Sequence, residues 1–476
     1  MKLDRKAICV LALIIVALTM SFVFYGCTNS SNEPIDPYDD YVKDMSVYTI
    51  ENKGDDVVLT AISTTSAENI IIPAEVTKID FDEHYFLRAR GSYDYRRIKF
   101  EKNSQLKEIS ANSFYEINEL ISITLPDNLE KIGAEAFMFC ENLESIYIPA
   151  SVKSIGENAF RGCAKLSSMI VDDKNTTYDS RDNCNAIFET SSNKLIASIT
   201  SVIPSSITTI GKNAFSVVDK YTSIVVPNTV TSIEEEAFVG CKQLTSVQLP
   251  ENLTTIEEGM FWGCDKLAEV NIPQGVTKIG TRAFCGCLSL EEIVLPEGLT
   301  ELGEDVFVSC PLKSINIPSS LTVLGVGMFA DSKLTSVVIP NNIVELEHDV
   351  FSNCSLLESV TIPSSVQKIG AYAFRECRAL KSVVIPDGVE DIEEWTFYND
   401  ESLESLTFTT SIRSISYGAL GKCSKLKDVY YNGTIEQFEH IYINTVYYEW
   451  YAEHFKNEHS SFTVHCTNGD KVVSLY

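Results

Sequence analysis

From about residue 100 onward, apolar and polar positions recur with a period of 22–23 residues. Within 143–163, Ile146 and Ile148 alternate with Ser145 and Tyr147, and Pro149 follows directly. Alternation with a period of two puts the isoleucines on one face of a short strand and the polar partners on the other. Proline has no N–H to give to a ladder, so it ends the strand and opens a turn. A second short extended piece follows, carrying Val152 and Ile155. Next comes a turn bearing Ala159 and Phe160, expected as a helical or 3₁₀ fragment. Segments 244–264, 267–287 and 357–377 repeat the same order.

The register holds along the chain. The aromatic of the turn falls at Phe114, Phe137, Phe160, Phe215, Phe238, Phe261, Phe284, Phe307, Phe329, Phe351, Phe374 and Phe397, and Leu420 takes its place once more. Eleven of the fifteen prolines stand 11 residues before one of these positions. A period in the twenties is the signature of a solenoid. No single repeat can bury its own apolar face, and stacking neighbours makes one continuous core. One step is 55 residues long and must hold an insertion.

The cysteines keep the same register. Nine of the fourteen, Cys140 to Cys423, lie three residues after the Phe or after Leu420. A disulfide staircase or a metal ladder is one reading of such a column. Small buried residues at a tight turn are the other, and the slot favours it: Val218, Ser332 and Asp400 occupy it in other repeats. Cys184, Cys285 and Cys466 stand outside the column, and no pairing can be read for them. Cys285 beside Cys287 reads as a stray next to a repeat cysteine rather than as a redox pair.

The register I-P…V-x-x-I-G…A-F-x-x-C resembles the BspA-like leucine-rich repeat family of bacterial surface proteins, over about residues 65–466. The resemblance implies a solenoid of 22–23-residue coils with a parallel β-sheet face and short helical or 3₁₀ turns, capped at both ends. It also implies a β-hairpin inserted in one coil near 172–200, with Ala186-Ile187-Phe188 and Leu195-Ile196-Ala197 as its strands. The expected organisation is an N-terminal β cap and irregular first coil over 43–100, the array over 101–427, and a C-terminal cap over 428–476. That last cap should hold a helix and a hairpin turning at Asn468-Gly469, a favoured two-residue loop.

The start of the chain reads as an address. Lys2, Arg5 and Lys6 precede an uncharged apolar run from Ala7 to Tyr25, which is the layout of a secretory signal over 1–26. Gly26-Cys27 resembles a lipoprotein cleavage site, with Cys27 the residue that receives the lipid. Phe24 and Tyr25 stand where that family of signals has Leu and a small residue. An uncleaved membrane anchor is the alternative, since the run nearly suffices to span a bilayer. Residues 27–42 are acidic and proline-containing, a flexible tether.

Composition narrows the function. With 45% hydrophobic residues, wholesale disorder is excluded. A net charge of −28 repels phosphate backbones, so nucleic acid is no expected partner. Six histidines leave little material for metal sites, although His440, His454, His459 and His465 gather near the end. Asp172, Asp173, Asp179 and Asp182 offer oxygen ligands without the spacing of a calcium loop. No P-loop, H-E-x-x-H or G-x-S-x-G occurs. Neither catalysis nor a cofactor is expected.

The middle outward residue of each first strand forms a column without charge, from Thr124 to Tyr430, flanked by a mostly serine column. Stacked like charges would repel and β-branched residues suit strands, so architecture explains much of this. A binding patch on this face would centre on Tyr147, Gln248, Asn271, Asn316 and Tyr430. The family resemblance implies an adhesin-like, lipid-anchored envelope protein, surface-exposed, that meets proteins of host or neighbouring cells. A structural envelope scaffold and a glycan-capturing lipoprotein are the alternatives.

Overall fold

The computed structural model describes residues 45–62, 68–81, 96–217, 219–444 and 460–475. The signal, Cys27 and the tether lie outside them, as do His454 and His459. Among the described residues no helix is long and apolar enough to cross a membrane. The chain winds into a parallel β-solenoid of about 15 turns.

Three hydrogen-bonded ladders run along the stacked coils. The first joins the strands that precede the prolines. Ser145–Ile148 pairs in parallel with Ser168–Val171, with Ile146 opposite Met169 and Ile148 opposite Val171, all four buried. The second joins the short strands after the proline turn: Glu108–Ile109, Lys131–Ile132 and Ser154–Ile155 stack in register.

The third ladder belongs to the turn that carries the Phe. Its internal bonds run from residue i+3 back to i, as in a 3₁₀ turn: Met138 N–H to the Glu135 carbonyl and Cys140 N–H to that of Phe137. The segment does not continue into a helix, because Glu135 and Phe139 are left-handed, with φ of 56° and 59°. The corresponding residues two before each Phe of the array, and before Leu420, all share a positive φ. This geometry turns alternate N–H groups along the solenoid axis. Glu135, Phe137 and Phe139 donate to the carbonyls of Glu157, Ala159 and Arg161 in the next coil, at 2.7–2.8 Å.

Inside, the rings stack from Phe114 to Phe160 and again from Phe215 to Phe397, with centroids 4.9–6.0 Å apart. The column cysteines are buried and free. Their thiols donate to the carbonyl of the Phe of the preceding coil, as from Cys140 Sγ to Phe114 O at 3.0 Å and Cys310 Sγ to Phe284 O at 3.0 Å. Burial pushes the Cys140, Cys377 and Cys423 thiols well up, and Cys163 and Cys354 to about 12, which keeps these five protonated donors.

The long step contains the antiparallel strands Ala186–Glu189 and Lys194–Ser198. They do not project as an arm. Lys194–Ser198 pairs in parallel with Thr209–Ile210, so the hairpin is laid into the second ladder and interrupts the ring stack, with Phe188 buried there. At the start, Asp56–Ile62 pairs with Tyr48–Lys53 and leads into the same ladder. At the end, Ser460–Cys466 extends the first ladder beside Asp428–Tyr431, and Gly469–Leu475 folds back on it. This hairpin turns at Thr467-Asn468, one residue before the Asn-Gly pair, because Gly469 is already paired with Cys466. The short helix Ile435–Phe438 starts on a Thr434/Gln437 capping box.

Candidate binding face

The first ladder presents one face to solvent. Burial alternates along its strands, as in Ser145–Ile148, so every second residue points outward. Fifteen large apolar side chains are exposed among the described residues. Seven of them, Tyr147, Ile170, Val225, Val294, Val338, Val384 and Tyr430, occupy the middle outward position. Val294 and Val338 are 71% and 73% exposed, which leaves nearly the whole side chain available to a partner. A shallow groove of about 770 Å³ crosses this face, lined by Val225, Gln248, Asn271, Val294 and the flanking Glu269 and Glu292.

The five candidate side chains lie on this face but do different things. Gln248 is exposed in the groove. The two asparagines are tied to main chain. Asn271 accepts from Leu249 N–H at 2.7 Å and donates to Leu249 O at 3.2 Å. Asn316 does the same with Leu295, at 2.9 and 2.8 Å. The backbone ladder of this face is interrupted between residues 271 and 335; Asn271 ties the coils at the edge of that stretch and Asn316 ties two coils within it. Sequence reasoning treated the asparagines only as outward polar groups. Asparagine among β-branched residues in one slot was the signal for a brace.

At the N-terminal end the Tyr147 hydroxyl donates to Asp172 Oδ2 at 2.7 Å, which raises the phenol and lowers the carboxyl from their ordinary values. At the other end Tyr430 stacks on His465, with centroids 5.0 Å apart. The His465 ring lies between Asp428 and Asp470, each at 2.9 Å, and this pair of carboxylates raises its pKa.

Several of the other chemistry-bearing residues make structural contacts. Asp179 forks onto Arg181, with bonds of 2.8 and 2.6 Å, and Asp172 also accepts from Lys174 N–H. His440 Nδ1 lies 2.6 Å from the Glu436 carbonyl. No group of three or more metal-ligating side chains occurs among the described residues. Charged residues line the second ladder, where they alternate in sign: Glu130 pairs with Lys107 and Lys153, Glu108 with Lys131, and Glu301 with Lys278. Such cross-coil pairs avoid like-charge stacking more than they add stability.

Stacked parallel rungs of about 23 residues around a repeating leucine-type core define a leucine-rich repeat solenoid. A family model described as the BspA type leucine rich repeat region matches residues 58–187, 90–220, 208–335 and 324–446, and the chain belongs to that family. Among solved structures it is similar to a leucine-rich repeat protein from Bacteroides ovatus, at 26% identity and a TM-score of 0.50, covering 85% of this chain and 97% of that one. It also matches a leucine rich cell surface protein from Faecalibacterium prausnitzii, at 23% identity and a TM-score of 0.45, covering 84% and 97%. A search of curated proteins gave no match.

Proposed function

We propose that this is a non-catalytic, envelope-tethered binding protein whose first-ladder face meets a protein on a host or neighbouring cell. The observation that carries the reading is the column of exposed apolar side chains from Tyr147 to Tyr430. Single exposed apolar residues are ordinary on any surface, whereas an aligned run of them marks an interaction site. The absence of charge in the column and the acid-rich remainder fit a partner with an apolar contact strip and a basic rim. Membership of the family favours a cell-surface setting.

The test is an array of host and bacterial surface proteins probed with the full chain and with V294K/V338K/V384K. Those valines are exposed, so the variant keeps its melting temperature. Loss of the captured signals in the variant supports this face; retention places binding elsewhere. A second reading, glycan capture, is favoured by the groove and its polar lining of Gln248, Ser246 and Gln274. It predicts signals on immobilised polysaccharide rather than on protein.

A further inference from the structure

The last strand of the first ladder has a free side. Gly469–Leu475 ends that sheet, paired over its whole length with Ser460–Cys466 and with no strand beyond it among the described residues. The two-residue turn makes Cys466 and Gly469 exchange both backbone bonds, and the exchange recurs at every second pair: Val464 with Lys471, Phe462 with Val473 and Ser460 with Leu475. The residues between them on the first strand face the ladder instead. Thr463 N–H donates to Lys427 O at 2.8 Å and Thr467 N–H to Gly433 O at 2.9 Å. By the same alternation Asp470, Val472 and Ser474 point their N–H and C=O groups away from the hairpin. None of the three has a backbone hydrogen bond among the described residues.

An unpaired edge recruits another strand unless it is short, bulged, proline-bearing, charged or covered. This one is seven residues long, with no proline and no register shift against its neighbour. Its two charges are already engaged, Lys471 with Glu439 at 2.5 Å and Asp470 with His465 at 2.9 Å. The Val472 side chain is 74% exposed on the face that carries the apolar column. Copies of a chain with a net charge of −28 repel one another over most of their surface. This end does not share that repulsion: from Lys422 on, the described residues carry four lysines and four carboxylates.

The strand is its own complement. In an antiparallel pair, a residue whose backbone groups point outward must meet another of the same kind. Only a two-fold axis at Val472 engages all three: Val472 meets its counterpart, and Asp470 meets Ser474 in both directions. An axis at Lys471 would set two lysines opposite each other, and one at Asp470 two aspartates, which repel. A two-fold pairing closes on two copies, whereas pairing with the far end of the solenoid would run on as a filament. We infer that the edge strand Gly469–Leu475 joins two copies of this chain by antiparallel pairing about Val472. The first ladder then continues from one copy into the other, and both exposed faces lie on the same side. A partner surface that repeats its epitope meets two faces at once, which raises avidity without any new contact. The pairing is read without a ligand, so its fate does not decide that of the proposed protein-binding face.

Sedimentation equilibrium of the full chain in detergent, beside V472P and V472K, tests it. Proline at 472 removes one outward N–H, and lysine sets two ammonium groups across the axis. Neither takes a backbone bond from the hairpin, and the side chain replaced is exposed, so both variants keep their melting temperature at a dilution where every chain is a monomer. If proline disturbs the hairpin, V472K decides alone. The expected result is a monomer–dimer equilibrium with a Kd of about 100 μM or tighter, weakened at least tenfold in the variants. V472C checks the register: oxidised at high concentration, it should join two chains, because opposed residues of such a pair stand about 5.5 Å apart at Cα, within disulfide reach. A chain that stays monomeric at about 0.5 mM, or one that assembles beyond two copies, would overturn the inference. A dimer that persists in V472K would overturn the site.

Discussion

Asp400 occupies a slot that nine coils give to cysteine. It accepts from Cys377 N–H at 2.8 Å through Oδ1, while its Oδ2 is buried and unpaired. Burial pushes its carboxyl well above the ordinary value of 3.8, which favours the neutral form. A carboxyl raised in the folded state gives stability that is fully present below 3.8 and is lost as pH rises through the raised value. Asp400→Cys should therefore raise the melting temperature at neutral pH, by an amount set by an unsatisfied buried group, about 1–3 kcal/mol. The gain should shrink as pH falls towards 3.8; a pH series of thermal melts reads both. His465 shifts in the same sense. Its stabilisation of the terminal hairpin is present below the ordinary 6.5 and fades as pH rises through the raised value. His465→Gln should remove that component from the melting profile just above 6.5. The cysteine column was readable as small buried residues. The thiol-to-carbonyl bonds were not, because a donor role depends on which carbonyl the stacked coil brings near.

Among elements, the turn ladder differs most from its sequence-based expectation. A helical or 3₁₀ fragment was expected, and a left-handed residue two before each Phe breaks it; Asn, Gly and Asp fill many of these slots, but Glu135, Arg282, Tyr372 and Trp395 hold the same conformation without that preference. The conformation is imposed by the three-ladder stack rather than by local propensity. Strands, by contrast, were legible from alternation and proline alone. Phe284 is fully buried between two stacked rings, so Phe284→Ala should cost about 3–5 kcal/mol in chemical denaturation. Asn316→Ala should cost about 1–2 kcal/mol, through two lost bonds to Leu295. Asn316→Thr, the residue at Thr361 and Thr407 in the same slot, tests whether a regular strand can replace the brace. Recovery of stability with unchanged partner binding would mark Asn316 as a brace and not as a contact.

At the scale of the whole molecule, the fold was legible because one register repeats across the chain and each copy repeats the same evidence. The place of the inserted hairpin was not legible. The 55-residue step announced an insertion, but that its Ser198 N–H takes Ala214 O depends on how the coils stack. The face was half legible: its lack of charge could be read, its amide braces could not. The account as a whole requires that this face be presented outside the cell. Protease treatment of intact cells, followed by blotting for the chain beside a periplasmic control, tests that requirement directly. The account predicts loss of the full-length band, through cutting in the tether over 27–42, while the control survives. Protection until the envelope is broken would contradict the binding role towards other cells and would make an internal scaffold the working description.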